Sequence, residues 1–76
     1  MLKKLDLRGT PCPVNFVRCR LALEKLTFNE TLEVDIDKGE PEEMVRLGLK
    51  NEGYNIKVLF EKDHWLRLLI IPNANS

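Results

Sequence analysis

The sequence predicts an α+β fold, a two-layer α/β sandwich of order β-α-β-α-β-β with a four-stranded mixed sheet and two helices on one face. Three observations carry this. Thr31–Asp37 alternates strictly, Leu32, Val34 and Ile36 against Glu33, Asp35 and Asp37. Two more runs with a period of two, residues 54–61 and 64–71, follow one another near the C-terminus. Two segments between the strands open on proline, Pro13 and Pro41, and read as helices.

Residues 2–7 form the first strand, with Leu5 and Leu7 on the side opposite Asp6. Arg8-Gly9-Thr10-Pro11 is rich in residues that interrupt regular structure and makes a loop. The first helix spans Pro13 to about Leu26, and Pro13 suits its first position, where a missing N–H costs nothing. Thr31–Asp37 is the second strand, half-buried because one face is apolar and the other acidic. Lys38-Gly39-Glu40 is a loop. The second helix starts at Pro41, with Glu42 and Glu43 in its first turn, where they complement the helix dipole. It ends near Asn51-Glu52-Gly53, and Gly53 can take the left-handed conformation of a C-cap.

The last two strands form a hairpin through a tight turn at Lys62-Asp63. Ile56, Val58 and Phe60 make one face of the first, and Leu66, Leu68 and Ile70 the matching face of the second. The other sheet face carries Glu33, Asp35, Lys57 and Arg67, but also Leu59, Trp65, Leu69 and Ile71. It is either an ordinary half-covered face or a contact surface. Residues 1–72 make one domain, and residues 73–76, after Pro72, a frayed tail.

A chain of 76 residues buries a thin core and has no room for a large cofactor or a deep cavity. Its chemistry is expected at the surface or shared with a partner. Twelve basic residues balance twelve acidic ones, so no charge excess points to nucleic acid or to an anionic membrane. The longest apolar run near the C-terminus, Leu68-Leu69-Ile70-Ile71, is too short to span a bilayer. No long apolar segment follows Lys3 and Lys4, so the start does not read as a signal peptide, and a cytoplasmic location is expected. Two cysteines are present, Cys12 and Cys19. Seven residues apart on one helix, their Cα atoms would be about 10 Å apart. An unstrained disulfide needs them within about 7 Å, so both read as thiols in a reducing compartment.

The informative segment is Leu5-Asp6-Leu7-Arg8-Gly9-Thr10-Pro11-Cys12-Pro13-Val14-Asn15-Phe16-Val17-Arg18. It sets a cysteine between two prolines, after a strand and a glycine loop, at or next to a helix N-cap. Unpaired N–H groups and the positive end of the helix dipole then lie close to the sulfur and favour its anionic form. Arg8 and Arg18 would add to this, and Pro11 and Pro13 stiffen the backbone on either side. The same N–H groups would also favour an anionic persulfide. The competing reading is an inert loop cysteine, a small hydrophobe. Cys19 falls on an apolar arc with Phe16, Ala22, Leu23 and Leu26 and is expected in the core. Val14, Val17 and Leu21 fall on a separate arc, either a docking patch beside Cys12 or a surface covered by a loop.

This segment closely resembles the TusA/SirA family of sulfur carriers. Members show an Asp-x-Arg-Gly strand end and then Cys-Pro-x-Pro opening the first helix. Asp6-Leu7-Arg8-Gly9 and Cys12-Pro13-Val14 match in type and spacing. The acidic second strand, the Pro41 helix start, Glu52-Gly53-Tyr54 and the final hairpin extend the resemblance over nearly the whole chain. One residue departs from the motif: Asn15 stands at its second proline, restoring an N–H and bringing a side chain that can hydrogen-bond locally.

The resemblance implies the same sandwich fold and a sulfur carrier acting as a sulfurtransferase. Cys12 would accept a persulfide sulfur from a cysteine desulfurase or rhodanese-like donor. It would pass the sulfur to an acceptor in tRNA thiolation, cofactor synthesis or sulfur metabolism. Asp6, Arg8, Gly9 and Pro13 would shape the site or its docking surface. The resemblance implies no bound cofactor. The charge balance and short apolar runs lead to no expected direct nucleic-acid or membrane contact, and the apolar outer sheet face allows a monomer or a weak homodimer.

Two other functions compete with this one: a protein-binding or regulatory module in which Cys12 is dispensable, and a thiol redox sensor forming mixed disulfides. His64 reads as a solvated turn residue, and Cys12, Cys19 and His64 lack a recognisable metal-ligand spacing.

Overall fold

The computed structural model describes residues 2–27 and 29–72, so the expected tail at 73–76 lies outside the described residues. The elements are β1 (Leu2–Asp6), α1 (Val14–Glu24), β2 (Thr31–Asp37), α2 (Glu40–Asn51), β3 (Asn55–Glu61) and β4 (Trp65–Ile71), in the order expected. The sheet runs β1-β2-β4-β3. β1 lies parallel to β2, and β4 antiparallel to both β2 and β3.

Registry explains the core. Leu32, Val34 and Ile36 of β2 stand opposite Ile70, Leu68 and Leu66 of β4, and all six are buried. Leu7, Cys19, Leu23, Val45 and Leu49 close over them. Full burial of each Val, Leu or Ile contributes about 1.5–3 kcal/mol before conformational entropy is counted. The central strands alternate buried and half-buried residues, as the apolar and acidic alternation of β2 requires.

Several boundaries move. α1 begins one residue later than expected, so Pro13 is its N-cap and not its first helical residue. The Pro13 carbonyl accepts the Val17 N–H at 3.1 Å and so starts the helical ladder. Glu40 joins α2, whose N-cap is Gly39. The end of α2 is the expected glycine cap. Gly53, at φ +94°, donates to the Lys50 carbonyl, and Tyr54 donates to that of Leu49.

The hairpin differs more. Its connection takes in three residues, 62–64, and the tight turn at Lys62-Asp63 alone does not form. His64 falls in the connection, although its carbonyl still accepts the Lys38 N–H at 2.9 Å. A register shift in β3 between Val58 and Phe60 also overturns an expected face. Val58 stands opposite the buried Leu68, but Phe60 stands opposite Arg67, on the side away from the helices. The inserted residue reverses the alternation. Phe60 therefore packs near Trp65, ring centroids 5.8 Å apart, and its place on the Ile56/Val58 face is corrected.

Candidate functional site

The site is built at the C-terminal end of β1. Asp6 ends the strand, and its Oδ1 accepts both the main-chain N–H and the Nε–H of Arg8, while Oδ2 accepts from Nη2, each at 3.0 Å. This fork folds the chain back on itself. The charge-assisted bonds from Arg8 pull the Asp6 carboxyl down to about 2, and Arg18 assists weakly. Gly9 follows at φ +76°, a conformation that L side chains resist, and its N–H donates to Asp37 Oδ2 at 2.8 Å. The loop is thus tied to the end of β2. The Asp-x-Arg-Gly run is legible in these bonds: an acceptor, its cationic partner and a residue free to turn.

Thr10 donates to the Leu7 carbonyl at 3.1 Å, and the chain then enters Pro11-Cys12-Pro13. The Cys12–Pro13 peptide bond is cis. Cys12 is exposed, one residue before the N-cap of α1. The N-cap residue offers no side-chain hydrogen bond to that end, and no acidic residue occupies its first turn. Its dipole is left uncompensated beside the thiol.

The N–H groups around the sulfur are fewer than the sequence suggests. Pro11 and Pro13 have none. Asn15 donates to the Pro11 carbonyl at 3.0 Å, and Phe16 donates to Asn15 Oδ1 at 2.6 Å. Among the described residues, the N–H groups of Cys12 and Val14 are the ones left without a partner in this turn.

Of the two arginines expected to favour an anionic sulfur, Arg8 is committed elsewhere. It pairs with Asp6 and lies over the Trp65 ring, its guanidinium carbon 4.6 Å from the centroid. That places it on the sheet face away from the helices. Arg67, held by Asp35 at 2.7 and 3.1 Å, lies over the same ring at 5.5 Å. Arg18 makes no ion pair among the described residues.

Cys19 is fully buried in the core, where desolvation pushes its thiol up to about 12 and keeps it neutral. Val14, Val17 and Leu21 are about half exposed, at 48%, 50% and 51%, so no loop covers their arc. Two residues that the sequence reading missed are Met44 and Leu47, also exposed. The aromatic ring of Phe16 rests where a Cβ on Gly48 would be, and Arg20 pairs with Glu52 at 3.2 Å. Equal steps of four residues along both helices mean that they run parallel, with Met44 one turn before Gly48 and near the start of α1. The available signal was the spacing of Met44 and Leu47, three apart and off the Val45/Leu49 arc.

Fold and site define a small two-layer α/β domain that presents one exposed thiol at an open helix start. The family model for sulfurtransferase TusA matches residues 3–71, and the chain belongs to this family. It is similar to a protein of Methanocaldococcus jannaschii named as a candidate sulfur carrier, 35% identical over 69 residues that cover 91% of this chain and 92% of that protein. The fold is similar to the crystal structure of a SirA-like protein from Desulfitobacterium hafniense, TM-score 0.78 at 20% identity, covering 96% of this chain and 99% of the other. Among the described residues, no helix is long and apolar enough to cross a membrane.

Proposed function

We propose that this chain is a cytoplasmic sulfur relay in which Cys12 carries the transferred sulfur as a persulfide. One observation carries the reading: the two thiols differ completely in access, Cys12 standing exposed at an uncompensated helix start while Cys19 is sealed in the core. The Cys12 thiolate attacks the outer sulfur of a donor persulfide. A new S–S bond forms at Cys12 as the donor's S–S bond breaks, and the electron pair leaves with the donor thiolate. No outside oxidant is needed, because the sulfane sulfur keeps its oxidation level. The N–H groups of Cys12 and Val14 are the local donors for the anionic persulfide.

The donor is a cysteine desulfurase or a rhodanese-like protein, and the acceptor serves tRNA thiolation, cofactor synthesis or sulfur metabolism. Val14, Val17 and Leu21 give either partner an apolar surface beside the sulfur. Asp6, Arg8, Gly9 and Pro13 shape the loop, and Arg18 supplies a cation on the same helix.

The test is intact mass without reductant after incubation with a cysteine desulfurase and cysteine. A gain of one sulfur atom is expected in the wild type and in Cys19→Ser, and none in Cys12→Ser. Loading that survives Cys12→Ser would overturn the assignment. If the wild type takes no sulfur even from glutathione persulfide, the chain is not a carrier.

A further inference from the structure

Among the described residues, Asn15 is the one polar residue whose side chain is fully buried, with no exposed surface, and its Nδ2 has no hydrogen-bond partner among them. A buried amide satisfied on one side only costs stability, and an apolar side chain of similar size would avoid that cost. Packing therefore gives no reason for an asparagine here. Its bonds give one. Its main-chain N–H donates to the Pro11 carbonyl at 3.0 Å, closing a ring of backbone with Cys12 inside it. Its Oδ1 accepts the Phe16 N–H at 2.6 Å, which fixes the side chain against the first turn of α1. A proline at position 15 could make neither bond.

We propose that Asn15 is a positioning residue for Cys12. It anchors the ring that carries the thiol to the buried underside of α1, through hydrogen bonds where a proline would act through its own ring. The Oδ1 acceptor does the positioning, and the unpaired Nδ2 is the cost of having it. The consequence for sulfur transfer rests on the relay proposed above, but the effect on the Cys12 turn does not.

Two variants separate positioning from stability. Asn15→Leu keeps the main-chain bond to Pro11, removes the orphan amide and deletes the acceptor. Asn15→Asp keeps the acceptor. Backbone ¹⁵N relaxation is read at the Cys12 and Val14 amides, with thermal unfolding recorded alongside. In the wild type the order parameters should be those of rigid backbone, about 0.85; in Asn15→Leu they should fall toward about 0.6 while the melting temperature holds or rises. Asn15→Asp should restore the rigid values. The rate of sulfur uptake from a protein donor should then fall on the order of tenfold to a hundredfold in Asn15→Leu and recover in Asn15→Asp to within the few-fold loss that an acid in this turn causes.

A Cys12 amide that stays rigid in Asn15→Leu, or stays mobile in Asn15→Asp, would overturn the positioning role. If Asn15→Leu unfolds, Asn15→Ala read below its melting temperature decides in its place: loss of order at Cys12 beyond that in the rest of α1 supports the role, and uniform loss refutes it. A wild type that takes up no sulfur would instead end the relay reading, with the relaxation result still deciding the role of Asn15.

Discussion

The two helices begin in opposite electrostatic states. α2 starts after Gly39 with Glu40, Glu42 and Glu43 in its first turn, so its own carboxylates meet the positive end of its dipole. α1 starts after Pro13 with no acid in its first turn; its polar partners there are neutral, the Pro11 carbonyl and Asn15 Oδ1, and Cys12 stands just before the N-cap. One helix start is finished from within; the other is left open for an anion that the protein does not itself supply. An acid in the first turn contributes about 0.3–1 kcal/mol, and α1 goes without it in the turn that follows Cys12.

The largest way to break this arrangement is to separate the two helices. They are held side by side by Phe16 on Gly48 and by the Arg20–Glu52 pair. A Cβ on Gly48 would lie 2.5 Å from Phe16 Cε1 and 2.8 Å from Cζ. Gly48→Ala is expected to lose about 1–2 kcal/mol of stability, the overpacking outweighing the gain in helix propensity. Denaturant unfolding measures it, and Gly48→Ala with Phe16→Leu should regain part of the loss. Unchanged stability would mean that the ring swings aside freely.

A finer change gives α1 the acid that α2 already has. Val14→Glu is tolerated sterically because Val14 is exposed. It would compete with the sulfur for the open helix end. Alkylation of Cys12 at neutral pH should slow about two- to fivefold, the equivalent of about 0.3–1 kcal/mol of dipole interaction. An unchanged rate would show that the helix end does not act on the thiol. The converse change, Glu43→Gln, weakens the compensation at α2 and should cost about 0.3–1 kcal/mol at low salt and less at high salt. Cys12 alkylation should not respond to it.

The smallest effect is a pH dependence. The Asp6 carboxyl is held at about 2, below its ordinary value of 3.8, by the forked bonds from Arg8. A lowered carboxyl stabilises the fold fully above the ordinary value, and this contribution is lost as pH falls from about 4 through about 2. Asp6→Asn should flatten stability over that window and leave it unchanged in slope near neutrality. A carboxyl titration of Asp6 followed by NMR should have its midpoint near 2, and a midpoint near 4 would deny the Arg8 bond in solution.

Much of this molecule is legible in its sequence. The alternation in β2, the two proline-opened helices and Gly53 are local signals, and each element forms where such signals put it. Cys12 before the helix and Cys19 on its buried arc follow from position and periodicity in the same way. Phe60 shows the limit. Strict alternation puts it beside Val58, but one extra residue in β3 turns it to the other face, and the need for that residue arises only from pairing with β4. Arg8 shows the same limit, since the motif places a cation near the loop and only the sheet brings Trp65 under it.

What the sequence alone determined is the set of elements, their order and the place of a cysteine between two prolines just before the first helix, because these depend on propensity, periodicity and chain stiffness within a few residues. What the tertiary structure decided is which distant partner each group meets. Arg8 went over Trp65, the Gly9 N–H to Asp37, Arg67 to Asp35, and Val14, Val17 and Leu21 stayed uncovered. Those outcomes depend on competition among donors, acceptors and apolar surfaces brought together from distant parts of the chain, and no local window contains all the competitors.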